Sequence, residues 1–475
     1  MSAPREVGPA DPLPWVRVAD GAPYFITEDG APWHPIGHND AISWPDLDGL
    51  YARRDLAAVE ARFAAWVASG VTAVRLMLEC AHGRSRYLER PAGRFVPAMV
   101  RAWDDLFAIC ERVGLRVMLT PMDTFWMWNR WAHHPWNSAL GGPLNHKGRS
   151  LLDPGLLAAL KARLEFAVTR WGGSGALWAW DLWNEMHPAN GGGSAERMGP
   201  VIAELSDHVR ELEQRLYGRS HPQTVSIFGP VLGEYPDQDI AGPIFRHPSL
   251  DFASIHIYRK GSIDHPRNTV APAVAMGAIV ADCLAEIGDD RPFLDTEHGP
   301  IHSFNDRRVI LPEPFDDEMF RHTAWAHLAS GGAGGGMRWP YRHPHRLTDG
   351  MRAAQKAMAD ILPAIDWSRF ARTNWADRAT ATGFHVFACG DDEQAVVWLL
   401  RRDNGGEDGR MRRDTEPRPA RLRLRRAAGT RHTVGEWDTV AGRRLRESAV
   451  EAADDQLTLD LLPVQADRAV TIRRI

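Results

Sequence analysis

The chain has few cysteines, which limits the metal, redox and disulfide chemistry that it can have. Four occur in 475 residues, at Cys80, Cys110, Cys283 and Cys389. They are far apart and form no CxxC pair, so the sequence indicates neither a zinc or redox motif nor a disulfide framework. The N-terminal stretch MSAPREVGPADPLPW has no apolar core of the secretory kind, which predicts a cytoplasmic location. A leader trimmed from this end would instead imply secretion.

Long apolar runs and an excess of one charge are also missing. No uninterrupted apolar run reaches about 18 residues, so we expect no membrane partner. The net charge is −5, with acidic and basic residues mixed along the chain, which argues against a nucleic-acid partner. No GxSxG motif occurs, and the Gly-rich stretch at 331–336 precedes an apolar run instead of opening a helix. A serine hydrolase and a dinucleotide-binding fold are therefore disfavoured, and the oligomeric state is left open.

Tryptophan is abundant, with 19 residues. Trp126 and Trp136 lie outside any core periodicity, in a long connection between predicted elements. Such residues either pack a loop onto the body or form flat platforms for sugar rings, because indole combines an apolar face with one polar group. The sequence leaves both interpretations open for these two residues.

Short apolar runs alternate with helical patterns up to residue 365. We expect strands at 33–39, 71–79, 115–123, 176–185, 224–230, 251–258, 292–299 and 334–340. Eight strands with mostly helical connections predict an α/β protein with a (β/α)8 TIM barrel over residues 1–365. From residue 366 to 475 short alternating runs are separated by turns, which is typical of a β-sandwich, here an accessory domain.

Two glutamates end predicted strands of this barrel. Glu185 closes the fourth strand in WAWDLWNE, and Glu297 lies near the end of the seventh strand in LDTEHG. The carboxyl ends of barrel strands meet at one face, where catalysis takes place. Two facing carboxylates suit glycoside hydrolysis, because one donates a proton and the other attacks the anomeric carbon.

This pattern resembles the clan A glycoside hydrolases, and is most similar to glycoside hydrolase family 5. The resemblance implies that Glu185 is the acid/base and Glu297 the nucleophile of a retaining enzyme. It also implies supporting or substrate-binding roles for matching residues of VRLM, WNE, HIY and RWP, namely Arg75, Asn184, His256, Tyr258 and Trp339. In the family pattern the arginine and the tyrosine support the nucleophile, the histidine lies near the acid/base, the asparagine binds the 2-hydroxyl, and the tryptophan lies beneath the reactive sugar.

Further candidates come from the first and third strands. GHND offers His38, Asn39 and Asp40 for sugar hydroxyls, and Trp126 is a candidate platform. Family 5 enzymes commonly have a histidine near the end of the third strand, where this chain has TPMDTFW. Asp123 is expected there instead, as a bidentate acceptor for sugar hydroxyls.

The sequence therefore predicts a glycosidase that cleaves β-glycosidic bonds in oligosaccharides. Exo action on a β-mannoside or β-glucoside is the first choice; an endo-acting mannanase or cellulase and a furanosidase are the alternatives. No cofactor and no metal are expected, although HHP at 133–135 and HPH at 343–345 leave a metal site as a minor alternative. A non-catalytic carbohydrate-binding protein on the same scaffold is the competing class.

Overall fold

A small antiparallel sheet covers the lower end of the barrel. The computed structural model describes residues 12–79, 86–301, 310–341 and 345–475. The sheet consists of β1 (Val16–Val18), β2 (Phe25–Thr27) and β3 (Pro32–Trp33). Phe25 lies edge-on to Trp178 and to Phe252, with ring centroids 5.3 and 5.4 Å apart. Both partners lie at the amino ends of barrel strands, so this sheet closes the end opposite the predicted site.

Eight parallel strands form the barrel, as the sequence predicts, and one of them consists of two short segments. They are β4 (Gly37–Asp40), β5 (Ala73–Met77), β6 (Arg116–Thr120), β7 (Leu177–Asp181), β8 (Gln223–Thr224), β9 (Ser226–Phe228), β10 (Ala253–Ile257), β11 (Phe293–His298) and β12 (Met337–Arg338). The order in the sheet is β8-β7-β6-β5-β4-β12-β11-β10-β9. Because β8 and β9 are separated only by Val225, they are two parts of one strand, and the sheet closes on itself.

Helices surround the barrel and fill its connections. They are α1 (Leu56–Ala68), α2 (Pro97–Val113), α3 (Thr124–Asn129), α4 (Pro154–Trp171), α5 (Met198–Tyr217), α6 (Val231–Glu234), α7 (Gly242–Phe245), α8 (Val270–Ile287), α9 (Glu313–Ala329) and α10 (Asp349–Ile361). Short 3-10 helices lie at Asp48–Arg53, Trp131–His133, Ser138–Leu140, Ser150–Leu152, Pro188–Gly191, Leu362–Ala364 and Trp367–Arg369.

Local sequence sets the bounds of these helices. The side chain of Asp153 accepts a hydrogen bond from Gly155 at the start of α4, where Pro154 occupies the first helical position. Helix α2 ends at Gly114, which has a left-handed φ of 82°. Helix α8 is long and apolar enough to cross a membrane, with a mean hydropathy of 1.8. Its buried face, which includes Met276 and Val280, belongs to the core of the barrel domain.

The glycine-rich stretch at 331–336 packs tightly at the lower end of the barrel. Gly334 has a φ of +71°, and a Cβ atom there would lie 2.3 Å from the carbonyl oxygen of Pro35. Only glycine accommodates both the conformation and the contact. Among the cysteines, Cys110, Cys283 and Cys389 are free and buried, while Cys80 lies outside the described residues.

The C-terminal part is a β-sandwich, as predicted. One sheet has the order β13-β15-β16-β21-β18-β19 and the other β14-β17-β20. Their strands are β13 (Thr373–Asn374), β14 (Ala379–Ala381), β15 (Phe384–Gly390), β16 (Gln394–Arg401), β17 (Arg418–Arg425), β18 (Arg431–Asp438), β19 (Arg443–Glu451), β20 (Gln456–Val464) and β21 (Asp467–Arg474). The predicted boundary at residue 365 stays a prediction, because the barrel's apolar core continues into the first of these sheets through Phe387 and Trp398.

Candidate active site

Glu185 and Glu297 lie together at the carboxyl ends of the barrel strands. Glu185 follows β7 and has a φ of +55°, a strained conformation for a residue with a side chain. Its backbone N–H donates to Ser226 Oγ at 3.2 Å. Glu297 belongs to β11, and the pairing of β10 with β11 shifts register just before it. Side-chain oxygens of the two glutamates and a ring nitrogen of His256 all lie within 4.8 Å of one another.

The carboxylate of Glu297 is held by two donors. Arg75 Nη1 donates to Oε2 at 3.0 Å, and the Tyr258 hydroxyl donates to Oε1 at 2.6 Å. The pKa of Glu297 is raised on balance, by burial first and also by the neighbouring Glu185, although His256, Arg75 and Tyr258 lower it. Because a guanidinium and a phenol both donate to it and stabilise the anion, Glu297 is the carboxylate of the pair with the better support for a negative charge.

Arg75 organises the floor of the site. Its guanidinium donates to Asp181 Oδ2 at 2.6 Å, to Asn184 Oδ1 at 2.6 Å and to Asn39 Oδ1 at 2.9 Å, in addition to Glu297. The side chains of Arg75 and Asp181 are fully buried. Four acceptors from the ends of three strands, β4, β7 and β11, therefore converge on one planar cation, which matches the fixed fork of donors that arginine provides.

Glu185 has a different environment, without a cation in contact. Its Oε1 lies 2.8 Å from His256 Nδ1. Burial lowers the pKa of His256 to about 4, so this imidazole is neutral at neutral pH. Burial also raises the pKa of Glu185 to about 7. Glu185 therefore keeps its proton up to a pH of about 7, as a general acid must, while the cation Arg75 is in contact with Glu297 instead.

Asn184 links this floor to the connection after β6. Its Nδ2 donates to Asp123 Oδ1 at 3.0 Å, and its second amide N–H is available to the cleft. Asp123 also accepts from the backbone N–H groups of Phe125 and Trp126, at 3.0 and 3.3 Å, and so caps α3. Burial raises the pKa of Asp123 to about 8. Its oxygens thus serve protein donors, and the expected bidentate contact with sugar hydroxyls is not supported.

A cleft of about 710 Å³ opens above the two glutamates. It is lined largely by aromatic and apolar side chains that come from several connections. The aromatic members are Phe125, Trp126, Trp128, Phe228, Tyr235, Tyr258 and Trp339. Trp339 follows β12 and lies edge-on to Trp44, with centroids 5.0 Å apart. Both Trp126 and Trp339, expected to contact sugar, therefore line the cleft.

The structure corrects the expectations for the first strand. His38 lies outside the barrel, between Trp66 of α1 and Arg352 of α10, with its ring centroid 4.6 Å from that of Trp66. Asp40 is buried and accepts from the backbone N–H of Ala41. Neither residue lines the cleft. Asn39 points inward, but its Nδ2 donates to the Thr296 carbonyl at 2.9 Å and its Oδ1 accepts from Arg75, so it positions the arginine instead of contacting sugar.

The structure decides between the two interpretations left open for Trp136. It is fully buried, with the guanidinium of Arg163 4.0 Å from its ring centroid, so it packs the loop and is not a sugar platform. Asp295, two residues before Glu297, is not a partner of Arg75. Its carboxylate lies 2.6 Å from His298 Nδ1, because the register shift in β11 separates its direction from that of Glu297. Asp181 is the second carboxylate of Arg75.

Several lining residues were not indicated by the sequence. Phe228 is the last residue of β9, and Val231 and Tyr235 lie in the connection after it, which shows no periodicity. Their position at or after the end of β9, at the catalytic face of a barrel, is the only available signal. Trp128 of α3 also lines the cleft, and the excess of neighbouring tryptophans was the sequence signal for it.

The described residues contain one trio of the metal-ligating type, Glu185, His256 and Glu297. Both oxygens of Glu297 already accept from Arg75 and Tyr258, and the raised pKa of Glu185 favours a proton there. The donor set therefore fits proton transfer and nucleophilic attack better than a divalent cation. His134, from the candidate metal motif, lies 3.4 Å from the buried Glu79; His343, in the second motif, lies outside the described residues.

Comparison with known proteins supports the fold through structure alone. No protein-family profile and no curated protein sequence matches the chain. A glycoside hydrolase family 5 structure from Bacteroides vulgatus is similar with a TM-score of 0.60 and 10% identity, over 96% of this chain and 93% of that one.

A second structure is similar over a smaller share of this chain. It is a family 5 mannosidase from Rhizomucor miehei, with a TM-score of 0.55 and 14% identity over 73% of this chain and 97% of that one. The endo-1,4-beta-mannanase from the same organism is similar with a TM-score of 0.50 and 14% identity, over 70% and 93%. The chain thus has the fold of glycoside hydrolase family 5 structures, and the predicted resemblance is confirmed at the level of the fold.

Proposed function

We propose that the protein is a retaining glycoside hydrolase acting on β-glycosides. The observation that carries the proposal is the pair of carboxylates at the barrel mouth, Glu297 against Arg75 and Tyr258, and Glu185 with its pKa raised to about 7. One carboxylate is poised to attack and the other to give up a proton.

The proposed reaction has two displacements. A Glu297 oxygen forms a bond to the anomeric carbon as the glycosidic C–O bond breaks, and Glu185 transfers its proton to the departing oxygen. In the second step Glu185, now ionised, takes a proton from water, and the water oxygen displaces Glu297 from the anomeric carbon. Two inversions at one carbon give net retention.

The distance between the carboxylates supports this route. Retaining glycosidases place the two carboxyl groups about 5–5.5 Å apart, and inverting ones about 6.5–9.5 Å apart to admit a water. One side-chain oxygen of Glu185 lies within 4.8 Å of one side-chain oxygen of Glu297, which is nearer to the shorter, retaining separation.

For the sugar, a β-mannoside or a β-glucoside is the first choice. A structural neighbour is named a mannosidase and another an endo-1,4-beta-mannanase. Removal of a single terminal sugar is favoured over endo action because the connection after β6 folds over the cleft through α3. A furanoside is the remaining alternative.

Hydrolysis of a panel of 4-nitrophenyl β-glycosides (manno, gluco, galacto, xylo, galactofuranosyl) tests the proposal. We expect one sugar to be cleaved with retention, and Glu297→Ala to lose activity by about 10⁴-fold or more. Azide should restore turnover of this variant and give a glycosyl azide of inverted configuration. Glu211→Gln is a matched control, since Glu211 is exposed on α5 and does not line the cleft.

The competing function is carbohydrate binding without catalysis. It predicts saturable binding of a sugar with no turnover of any glycoside in the panel. Full activity of Glu297→Ala on a cleaved sugar would contradict the proposed nucleophile, and inversion of the product would contradict the double displacement. Unchanged rates after treatment with EDTA are expected, because no step requires a metal.

A further inference from the structure

The side chains that line the cleft belong to two different apolar clusters. Glu185 follows β7, whose neighbours in the sheet are β6 on one side and β8 with β9 on the other. The first cluster includes Trp128 of α3, Phe228 at the end of β9, and Val231 and Tyr235 after it, and we call these four residues the acid-side wall.

The opposite wall is a distinct cluster. Trp126 and Ile301 pack against a group of buried side chains that includes Met77 and Trp339. This wall adjoins β5, β11 and β12, the last two of which carry or neighbour Glu297. In a double displacement the sugar that becomes attached lies over the nucleophile, and the leaving group lies beside the acid. The acid-side wall therefore contacts the leaving group.

The acid-side wall has few groups that could form hydrogen bonds with a second sugar. Val231 is buried and Trp128, Phe228 and Tyr235 are half-buried, so the surface facing the leaving group is mostly carbon. Phe228 and Tyr258 extend this surface toward the glutamates, with ring centroids 5.9 Å apart. The Tyr258 hydroxyl is already used on Glu297.

Polar side chains on this side are few and lie at its edge. Within the continuous described stretch 86–301, which supplies the whole wall, they are Asn129, His187 and Glu234. Asn129 and Glu234 are exposed, and the ring of His187 lies edge-on to Trp128 at 5.6 Å. The wall itself adds only the Tyr235 hydroxyl and the Trp128 indole N–H. A sugar burying several hydroxyl groups here would lose more hydrogen bonds to water than these groups replace, whereas an apolar group would gain from leaving water.

We propose that the leaving group is an alcohol with an apolar body, aromatic or alicyclic, instead of a second sugar. This inference rests on the proposed glycoside hydrolase function and names the substrate class at the leaving-group side of the same site. The sugar remains the one that the panel of aryl glycosides identifies.

A matched pair of substrates with the same sugar tests this inference. One is the cyclohexylmethyl β-glycoside and the other the β-1,6-linked disaccharide, so that both leaving groups are primary alcohols. We expect kcat/KM to be at least about tenfold higher for the cyclohexylmethyl glycoside, since each methylene in an apolar pocket contributes about 10- to 200-fold to discrimination.

The glycosyl fluoride of the same sugar tests the proposed hydrolase function independently of the apolar leaving group, because fluoride is too small to contact the acid-side wall. In Trp128→Ser, and separately in Tyr235→Ser, the ratio of kcat/KM for the cyclohexylmethyl glycoside to that for the fluoride should fall at least about tenfold. Asp237→Ser, an exposed change in the same connection that does not line the cleft, should leave this ratio unchanged.

Each outcome is decisive. Cleavage of the fluoride with equal or faster cleavage of the disaccharide than of the cyclohexylmethyl glycoside would overturn the apolar leaving group and leave the proposed function standing. An unchanged ratio in both serine variants would also overturn it. Failure to cleave the fluoride or any glycoside would overturn the proposed function and the inference with it.

Discussion

Arg75 shows how one residue can decide the chemistry of the site. Its guanidinium is shared by Asp181, Asn184, Asn39 and Glu297. Five fixed donors satisfy four acceptors at once, and a lysine ammonium with three donors cannot. The arginine thereby keeps Glu297 ionised and holds Asn184 in place.

Arg75→Lys is therefore expected to lower kcat/KM by at least about 100-fold and to reduce stability, because breaking a buried charge network costs about 3–5 kcal/mol. The pKa of Glu297 should rise as well, so the acidic limb of the pH profile should move to higher pH. Steady-state kinetics across pH and thermal unfolding check both effects. Arg101→Lys, on the exposed side of α2, is the control. An unshifted acidic limb would contradict the role assigned to Arg75.

The pKa of Glu185 determines the expected basic limb of the pH profile of kcat/KM. Its pKa is raised to about 7, and the acid must be protonated to act, so kcat/KM for a 4-nitrophenyl glycoside should fall as the pH rises through about 7. Glu185→Gln on a 2,4-dinitrophenyl glycoside, whose leaving group needs no proton, should show no such fall. A basic limb that persists in this variant would assign the titration to another group.

At the scale of elements, the connection after β6 is anchored from below. Arg163 of α4 donates to Glu89 Oε1 at 2.6 Å, to Glu79 Oε2 at 2.8 Å and to the Pro121 carbonyl at 3.1 Å. Burial opposes ionisation of Glu79, but Arg163 outweighs it and the pKa falls to about 2. This buried cluster holds the segment that carries Trp126 and Trp128 over the cleft.

Arg163→Leu should consequently loosen that connection, since two buried carboxylates lose their cation. We expect faster cleavage by protease within residues 121–153 and a raised KM, with a smaller effect on hydrolysis of the glycosyl fluoride. Arg101→Leu serves as the surface control. Equal protease sensitivity of the variant and the wild type would show that the cluster does not hold the connection.

Sequence pattern predicted the elements well and the direction of some side chains poorly. Strands β5, β6 and β7 and their helices follow from apolar runs and helical spacing. The strand GHND is short and polar, so nothing in its pattern tells which face looks inward, and His38 turned out to face the helices. The sheet β1–β3 has strands too short to show alternation. The sequence could not tell whether Trp136 packs the loop or forms a sugar platform, because its packing partner Arg163 lies 27 positions away in sequence.

At the scale of the whole molecule, the barrel and the sandwich share a core. A Cβ atom on Gly277 of α8 would lie 2.5 Å from the ring of Phe387, so the two parts are in close contact. Arg321 of α9 donates to Asp467 Oδ2 at 2.6 Å and to Thr439 Oγ1 at 2.8 Å. Although burial alone raises the pKa of Asp467, the cation Arg321 and further groups hold it well below its usual range.

The two parts should accordingly unfold in one calorimetric transition. The stability from Asp467 is fully present above the unfolded carboxyl pKa of about 4 and is lost as the pH falls toward the folded value. Arg321→Met should lower stability by about 3–5 kcal/mol at neutral pH, and Arg378→Met, at an exposed position, should not. Two well-separated transitions in the wild type would contradict a shared core.

Trapping the covalent intermediate tests the central claim most directly. A 2-deoxy-2-fluoro glycosyl fluoride of the cleaved sugar should inactivate the enzyme with a stoichiometry of one. The fluorine at C2 slows both displacements, but the good leaving group at C1 keeps the first one fast, so the covalent intermediate accumulates. Peptide mass spectrometry should then find the added sugar on Glu297. A label on Glu185, or on any residue other than Glu297, would contradict the account.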